Sequence, residues 1–360
     1  MPVHLPRGEG VVDRVDREQP GRILDLAFAF RRAKVLMSAV ELDVFTTLSE
    51  RPLECDALVT RLDIHPRGAQ DFLNLLVANQ LLHRDQFGRY SNVTDCDRYL
   101  SRSSPDYIGD LVEHLNTRMY EIWGRLTAGL RSGVPQSGAL GDGGYKALYA
   151  NPAAFTKFLR AMTAGSRPSA RVLAREFSWD KYASFIDIGT AQGCVPAEIA
   201  NAHPHLVGGG FDLPEVQGAF CEYVNALGLG QRLTFQAGNF LQDEMPGADV
   251  LIMGRILHNW GLPIKRMLLK KAYWALPAGG ALIVYDPMLD DERVNGHALF
   301  AGLTMLLETE EGSEYTPAEC RRWMAEAGFS SMKTMRLDAG HTAMIGYKEN
   351  GETATLRASP

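Results

Sequence analysis

The sequence predicts an α/β protein with a doubly wound parallel sheet in its C-terminal half and a helical domain in its N-terminal half. Beyond residue 179, short apolar runs alternate with segments of helical periodicity, as in SFIDIG, VGGGFD, LTFQ, ADVLIMG and ALIVYD. This alternation is typical of parallel strands joined by crossover helices. The runs SMKTMRL and HTAMIGYK flank Asp338-Ala339-Gly340 and predict an antiparallel hairpin that closes the sheet.

The N-terminal half has the order of elements of a winged helix. Apolar spacing predicts one or two amphipathic helices over residues 23–48, a short helix over 54–62 and a longer one over 66–82, followed by a hairpin around Phe87-Gly88. A winged helix either binds DNA or serves as a packing and dimerisation module. The longer helix offers Arg67 alone and carries Asp71, so its charge favours the second role.

Composition narrows the choice of partners and compartment. The chain has 37 basic and 43 acidic residues and a formal charge of −6, which argues against a nucleic-acid partner. Its five cysteines show no CxxC and no zinc-type spacing, so we expect reduced thiols, no metal and a cytoplasmic protein. No run of about 18 uncharged apolar residues predicts a membrane span.

The first motif of the sheet is Gly189-Thr190-Ala191-Gln192-Gly193, where a strand runs into a helix. Glycines here let a ligand approach the backbone, and the helix N-terminus offers unpaired N–H groups. A dinucleotide fingerprint would read GxGxxG, so the spacing weakens a pyrophosphate site and favours a cofactor without phosphates. A tight strand-to-helix turn without a ligand is the alternative.

Two further strand ends carry groups suited to a nucleoside. Asp212 ends the second strand, where doubly wound folds place a carboxylate that binds ribose hydroxyls; a loop cap before Leu213 is the alternative. Gly238-Asn239-Phe240 follows the third strand, where an amide can bind adenine and an aromatic ring can cover it, or where the segment is an ordinary turn.

A candidate base and a candidate acid follow in the chain. His258 lies beyond the fourth strand, beside the inferred cofactor site, and is either a general base or a structural histidine. Glu314 precedes Thr316-Pro317-Ala318-Glu319, which has the form of a capping box. A carboxylate held there can bind one imidazole nitrogen and leave the other to accept a proton, although a surface glutamate is equally compatible with the pattern.

Read in order, GTAQG, FDLPEV, GNF and RILHNW resemble the S-adenosylmethionine (SAM)-dependent small-molecule O-methyltransferases, the class of the caffeate, acetylserotonin and antibiotic-pathway enzymes. The resemblance covers nearly the whole chain. It implies a Rossmann-like SAM methyltransferase fold, SAM as cofactor, and a C₂ homodimer formed through the winged-helix domain. The implied organisation is a flexible leader (1–20), a dimerisation domain (21–105), linking helices (106–178), a catalytic domain (179–348) and a tail (349–360).

The resemblance also implies a role for each matching residue. His258 matches the catalytic base, and Asp286 and Glu314 match the acids that flank it. The implied cofactor residues are Ser166, Gly189, Asp212, Gly238, Asn239, Phe240 and Arg255, and the implied substrate residues are Met162, Asn259, Asn295 and Leu303. Ala191, Asn239 and Asn259 depart from the family pattern, in which glycine, an acid and an acid stand at these places.

These features predict O-methylation of a phenolic hydroxyl on a polycyclic or naphthoate-like aromatic intermediate of secondary metabolism, such as antibiotic biosynthesis. Three alternatives stay open at this point. One is an enzyme of the same fold that uses SAM without methyl transfer, as a hydroxylase or cyclase. Another is a winged-helix regulator that senses a ligand, and the third is a nicotinamide-dependent oxidoreductase, which the missing glycine pattern disfavours.

Overall fold

The computed structural model describes residues 20–137 and 151–349. The chain divides after Tyr107 into two compact units. The predicted leader, except for Pro20, and the predicted tail, except for Glu349, lie outside the described residues.

The first unit has the winged-helix order of elements. It contains α1 (Gly21–Glu41), α2 (Val44–Ser49), α3 (Cys55–Arg61), α4 (Pro66–Ala78), the antiparallel hairpin β1 (Leu82–Arg84) and β2 (Tyr90–Asn92), and α5 (Thr94–Leu100). His65 caps α4 by accepting a hydrogen bond from the Arg67 amide at 3.1 Å. The predicted extension of α4 to residue 82 is wrong, because Gln80 adopts a left-handed φ of 60° before β1 begins.

Helix α1 does not have the amphipathic character that its spacing predicted. Its buried residues are Ala39 and Val40, at the C-terminal end. Large apolar side chains of the earlier turns are exposed on both sides of the helix: Ile23 at 71%, Leu26 at 68% and Phe30 at 54% on one, and Leu24 and Phe28 on the other. Such a concentration of exposed apolar side chains is typical of an interaction surface.

The second unit begins with helices. The predicted linking helices begin as a series of short pieces: α6 (Gly109–His114), a π-helical turn (Leu115–Met119), α7 (Tyr120–Trp123) and α8 (Leu126–Ser132). Helix α9 (Pro152–Glu176) follows, capped by the Asn151 side chain, which accepts a hydrogen bond from the Ala154 amide at 3.1 Å. No helix among the described residues is long and apolar enough to cross a membrane.

A seven-stranded sheet forms the centre of this unit. Its strands are β3 (Ser184–Ile188), β4 (Val207–Asp212), β5 (Leu233–Ala237), β6 (Val250–Gly254), β7 (Ala281–Asp286), β8 (Ser331–Arg336) and β9 (Thr342–Tyr347), in the order β5-β4-β3-β6-β7-β9-β8. Strands β3 to β7 are parallel, and β9 pairs antiparallel with β7 and β8. The predicted doubly wound sheet with an antiparallel last strand is confirmed.

Helices cover both faces of the sheet and create two cores. Apolar residues of α9, α10 (Cys194–Ala202) and α11 (Gln217–Ala226) pack on one face. Residues of α12 (Leu262–Ala275) and α14 (Pro317–Ala327) pack on the other, and α13 (Gly296–Glu308) contacts α7 and α8. The strand order reverses between β3 and β6, and such a switch point opens a crevice at the carboxyl ends of the strands.

Candidate functional site

A cavity of about 730 Å³ lies in the second unit and is lined by residues that follow the carboxyl ends of the strands. Six of the seven predicted cofactor residues line it, namely Ser166, Gly189, Asp212, Asn239, Phe240 and Arg255. The predicted substrate residues Met162 and Asn259 line it as well. A volume of this size is within the usual range for small-molecule and cofactor sites.

The backbone of the turn after β3 forms one wall of the cavity. Gly189 has a left-handed φ of 74°, and a Cβ at this position would overlap the Ile256 side chain. Ala191 is also left-handed, at 50°, although it carries a side chain. Its amide donates a hydrogen bond of 2.9 Å to Asp212 Oδ2, which helps to hold this unfavourable conformation.

Asp212 is oriented by two backbone amides. Its Oδ2 accepts from the Ala191 amide, and its Oδ1 accepts from the Leu213 amide at 2.8 Å. Burial raises the pKa of Asp212, and these two amides oppose that rise. The sequence alternatives are therefore not exclusive, because the carboxylate both caps its loop and lines the cavity.

The loop after β5 carries the amide of Asn239 and the aromatic ring of Phe240, which both line the cavity. Asn239 Oδ1 accepts from the Leu241 amide at 2.9 Å, and the Phe240 ring meets the Trp260 ring edge-on at 6.1 Å. Lys271 donates to the Phe240 carbonyl at 2.6 Å and tethers the loop to α12. Gly238 does not line the cavity: a Cβ there would overlap Phe211, so its observed role is close packing.

His258, Asp286 and Glu314 form a buried cluster. His258 lies in a single helical turn after β6, Asp286 ends β7, and Glu314 lies in the loop before α14. The distance from His258 Nδ1 to Glu314 Oε1 is 2.7 Å, and that from His258 Nε2 to Asp286 Oδ1 is 3.8 Å. The two predicted acids therefore flank the imidazole, one at each nitrogen.

The environment keeps the imidazole neutral. Burial lowers the pKa of His258 to about 4, and the nearby Asp286 carboxylate only partly opposes this. Burial also raises the pKa values of Asp286 and Glu314. When Glu314 is ionised, Nδ1–H donates to it, so that Nε2 keeps its lone pair and can accept a proton.

The imidazole lies behind the cavity wall rather than in it. His258 is 5% exposed and does not line the cavity, whereas its chain neighbour Asn259 does. The Asn259 amide donates to the carbonyls of Arg255 at 2.9 Å and Ile256 at 3.3 Å. An ionised aspartate, the family residue here, could not make these two bonds, so the asparagine braces the turn that carries the histidine.

Two predicted substrate residues are placed elsewhere. Asn295 is the N-cap of α13, where its Oδ1 accepts from the His297 amide at 3.1 Å, and it does not line the cavity. Leu303 is half-buried on the same helix and does not line the cavity either. For Asn295 the observed role is capping, which an asparagine ahead of a helix could have indicated.

Several cavity residues were missed by sequence reasoning. Asp187, near the end of β3, lines the cavity, and burial raises its pKa to about 8. Its signal was available, because it is an acid at the carboxyl end of a parallel strand. The apolar residues Phe155, Phe158 and Tyr285 and the acidic segment 308–311 also line the cavity, and they reach it only through tertiary packing.

Two family models match the chain. Residues 123–330 match the model of the O-methyltransferase domain, and residues 24–102 match the O-methyltransferase dimerisation domain. The chain belongs to the O-methyltransferase family. This membership confirms the predicted family and enzyme class. It rules out the oxidoreductase and regulator alternatives.

Curated and solved relatives agree with this assignment. The chain is 43% identical over 330 residues to the tetracenomycin polyketide synthesis 8-O-methyl transferase TcmO of Streptomyces glaucescens, covering 91% of this chain and 97% of TcmO. It is 36% identical to the N,N-dimethyltransferase OxyT of Streptomyces rimosus, covering 89% and 93%. The crystal structure of human N-acetylserotonin methyltransferase in complex with SAM has a TM-score of 0.87 and 26% identity, covering 93% of this chain and 99% of that one. The predicted cofactor, SAM, is confirmed at the level of the family.

Proposed function

We propose that this protein transfers a methyl group from SAM to a phenolic hydroxyl of a polycyclic aromatic, polyketide-type substrate, with His258 as the general base. The observation that carries the proposal is the 2.7 Å contact between His258 Nδ1 and Glu314 Oε1. With Glu314 ionised, this contact keeps the imidazole proton on Nδ1 and leaves Nε2 as the proton acceptor, next to a turn that lines the cavity. The similarity to TcmO supports the substrate class.

The cavity fits SAM through the residues that surround it. Asp212 offers a pre-oriented carboxylate to the ribose hydroxyls, Phe240 offers a ring face to adenine, and Gly189 leaves room along the backbone. Asp187 is a buried acid on the same wall and suits the ammonium group of the methionine portion. When bound, SAM supplies an activated methyl carbon on its sulfonium.

The chemistry left to the chain is proton removal and alignment. A phenol with a pKa near 10, the reference value for tyrosine, is only slightly ionised at neutral pH. His258 Nε2 accepts this proton, and Glu314 stabilises the imidazolium that forms, as a carboxylate does in other histidine-based sites. A positioned base contributes typically about 10²–10⁴-fold to the rate.

We further propose a homodimer in which the exposed apolar side chains of α1 are covered by a second copy of the chain. The match of residues 24–102 to a dimerisation domain supports this, as do the exposed Ile23, Leu26 and Phe30. All five cysteines are free, which fits a reducing compartment such as the cytoplasm. No nucleic-acid or membrane partner is part of the proposal.

The test compares wild type with the His258→Gln variant on hydroxynaphthoates and hydroxyanthraquinones. We expect kcat to fall by about 10²–10⁴-fold, because the base is lost, while the Kd for SAM measured by calorimetry changes little. Mass spectrometry of the product must show the gain of one CH₂ per methylated oxygen. Undiminished turnover in the variant would reject His258 as the base, and a product without added CH₂ would favour the hydroxylase or cyclase alternative.

A further inference from the structure

Lys265 is a buried cation beside the proposed catalytic cluster. It lies on α12, is 2% exposed, and is the one buried lysine or arginine within residues 20–137 and 151–349. Burying an ammonium group costs several kcal/mol unless charges and hydrogen bonds compensate. The partners of Lys265 therefore indicate what retains it there.

Those partners lie on both sides of Glu314 in the chain. Lys265 Nζ donates to the carbonyl oxygen of Ser313 at 2.7 Å and to its Oγ at 3.0 Å. It also lies 4.9 Å from the centroid of the Tyr315 ring, in a cation–π contact. The lysine thus holds the two residues that flank the carboxylate.

The same residues connect the lysine to the rest of the cluster. The Ser313 amide donates to the His258 carbonyl at 2.8 Å, which ties the loop to the turn that carries the imidazole. The Tyr315 hydroxyl donates to Asp286 Oδ2. Lys265 itself does not line the cavity, so it acts on the reaction only through these neighbours.

The charge of Lys265 opposes the effect of burial on Glu314. Burial raises the pKa of Glu314, and the Lys265 ammonium is the foremost of the nearby groups that lower it, ahead of His341 and Arg255. Asp286 and Glu314 in turn oppose the burial that lowers the pKa of Lys265. The ammonium of Lys265 and the two carboxylates therefore stabilise one another's charged forms.

The ionisation of Glu314 decides which imidazole nitrogen carries the proton. Ionised Glu314 accepts a hydrogen bond from Nδ1–H and leaves Nε2 able to act as a base. Protonated Glu314 instead donates to Nδ1 and forces the imidazole proton onto Nε2, where it blocks proton removal. A cation that keeps this carboxylate ionised therefore also keeps the base competent.

We propose that Lys265 is a positioning residue that favours the ionised form of Glu314 and, with it, the Nδ1–H tautomer of His258. The inference rests on the proposed role of His258. The charged and titratable groups that face the cluster are Lys265, Arg255, His341, Asp286, Tyr315, Glu319 and Cys320. Of these, Lys265 is hydrogen-bonded to the residue adjacent to Glu314.

The first experiment measures kcat against pH for wild type, Lys265→Met and Lys265→Arg. In the methionine variant we expect the acidic limb of the kcat–pH profile to move to higher pH by about one unit. The value of kcat at neutral pH should then fall about tenfold and recover in alkaline buffer. The arginine variant keeps the charge and should keep the limb near its wild-type position. Lys270→Met, at an exposed position on the same helix, is the matched control.

The outcomes separate positioning from a merely structural role. An unshifted limb in a Lys265→Met protein that binds SAM normally overturns the proposal. A loss of kcat that is equal at every pH also overturns it, because it would report only a damaged fold.

A second measurement needs no folded variant at this position. The ¹⁵N NMR spectrum of histidine-labelled wild-type protein, with His258 assigned by its loss in His258→Gln, should show the Nδ1–H tautomer at neutral pH. An Nε2–H tautomer in the wild type overturns the proposal. If His258→Gln retained turnover, the proposed function would fail, whereas the tautomer would still report separately on Lys265.

Discussion

The cofactor end and the catalytic end of the site are built by different means. At the cofactor end, the backbone of the Gly189 turn and the loop after β5 shape the wall, and Asp212 is held by two amides. At the catalytic end, the groups are buried side chains whose charges set one another, with His258 and Glu314 separated by 56 positions in the chain. The cofactor end is therefore sensitive to changes in backbone shape, and the catalytic end is sensitive to changes in the charge of its buried side chains.

This contrast predicts that substitutions at the two ends separate cofactor affinity from turnover. A change of backbone shape should raise the Kd for SAM and leave the protonation of the cluster intact. A change in the charge or bracing of the cluster should lower kcat and leave cofactor affinity intact. Three substitutions probe this separation, beginning with the largest expected effect.

Gly189→Val tests the cofactor end. A branched side chain is strained at a φ of 74°, and its Cβ would overlap Ile256 on the cavity wall. We expect the Kd for SAM to rise by about tenfold or more, since about 1.4 kcal/mol corresponds to each factor of ten. Calorimetric titration measures it.

Gly218→Val is the matched control for this substitution. Gly218 is exposed on α11, and a Cβ there meets nothing within 4 Å. We expect its Kd for SAM to equal that of wild type. Equal cofactor affinity in Gly189→Val and Gly218→Val would show that the turn does not shape the cofactor site.

Asn259→Asp tests the bracing of the catalytic end. The ionised side chain cannot donate to the carbonyls of Arg255 and Ile256, and it faces them with a negative charge. Losing one such bond costs about 1 kcal/mol, so we expect kcat to fall by roughly three- to tenfold with little change in the Kd for SAM. Steady-state kinetics at saturating SAM measures the fall, and a variant with unchanged kcat would assign the asparagine no role at the turn.

The cofactor end was more accessible to sequence reasoning than the catalytic end. Gly189 and Asp212 follow strands of clear periodicity, and the fold brings the carboxyl ends of parallel strands together. The pairing of His258 with Glu314 follows from resemblance, since nothing local shows which of 43 acids meets a given histidine. Lys265 gave no signal, because an isolated lysine in a helical pattern ordinarily faces solvent.

The same reasoning explains where the structure differs from the sequence-based predictions. The spacing in α1 was interpreted as amphipathic, although exposed apolar side chains occupy both sides of the helix, with Leu24 and Phe28 opposite Ile23, Leu26 and Phe30. The resemblance assigned Asn295 to the substrate. Its position just ahead of a helix could have indicated an N-cap, and the hydrogen bond that it accepts from the His297 amide shows that role.

Asn295→Ala should therefore have the smallest effect of the three, and it should fall on neither end of the cavity. Loss of an N-cap typically costs about 1 kcal/mol, so we expect a lower free energy of unfolding in urea, with KM for the acceptor and the Kd for SAM both unchanged. The N-cap preference places serine close to asparagine, so Asn295→Ser should recover most of the stability. A several-fold rise in KM that serine does not reverse would instead return Asn295 to the substrate site, and would mean that the start of α13 closes over the acceptor when it binds.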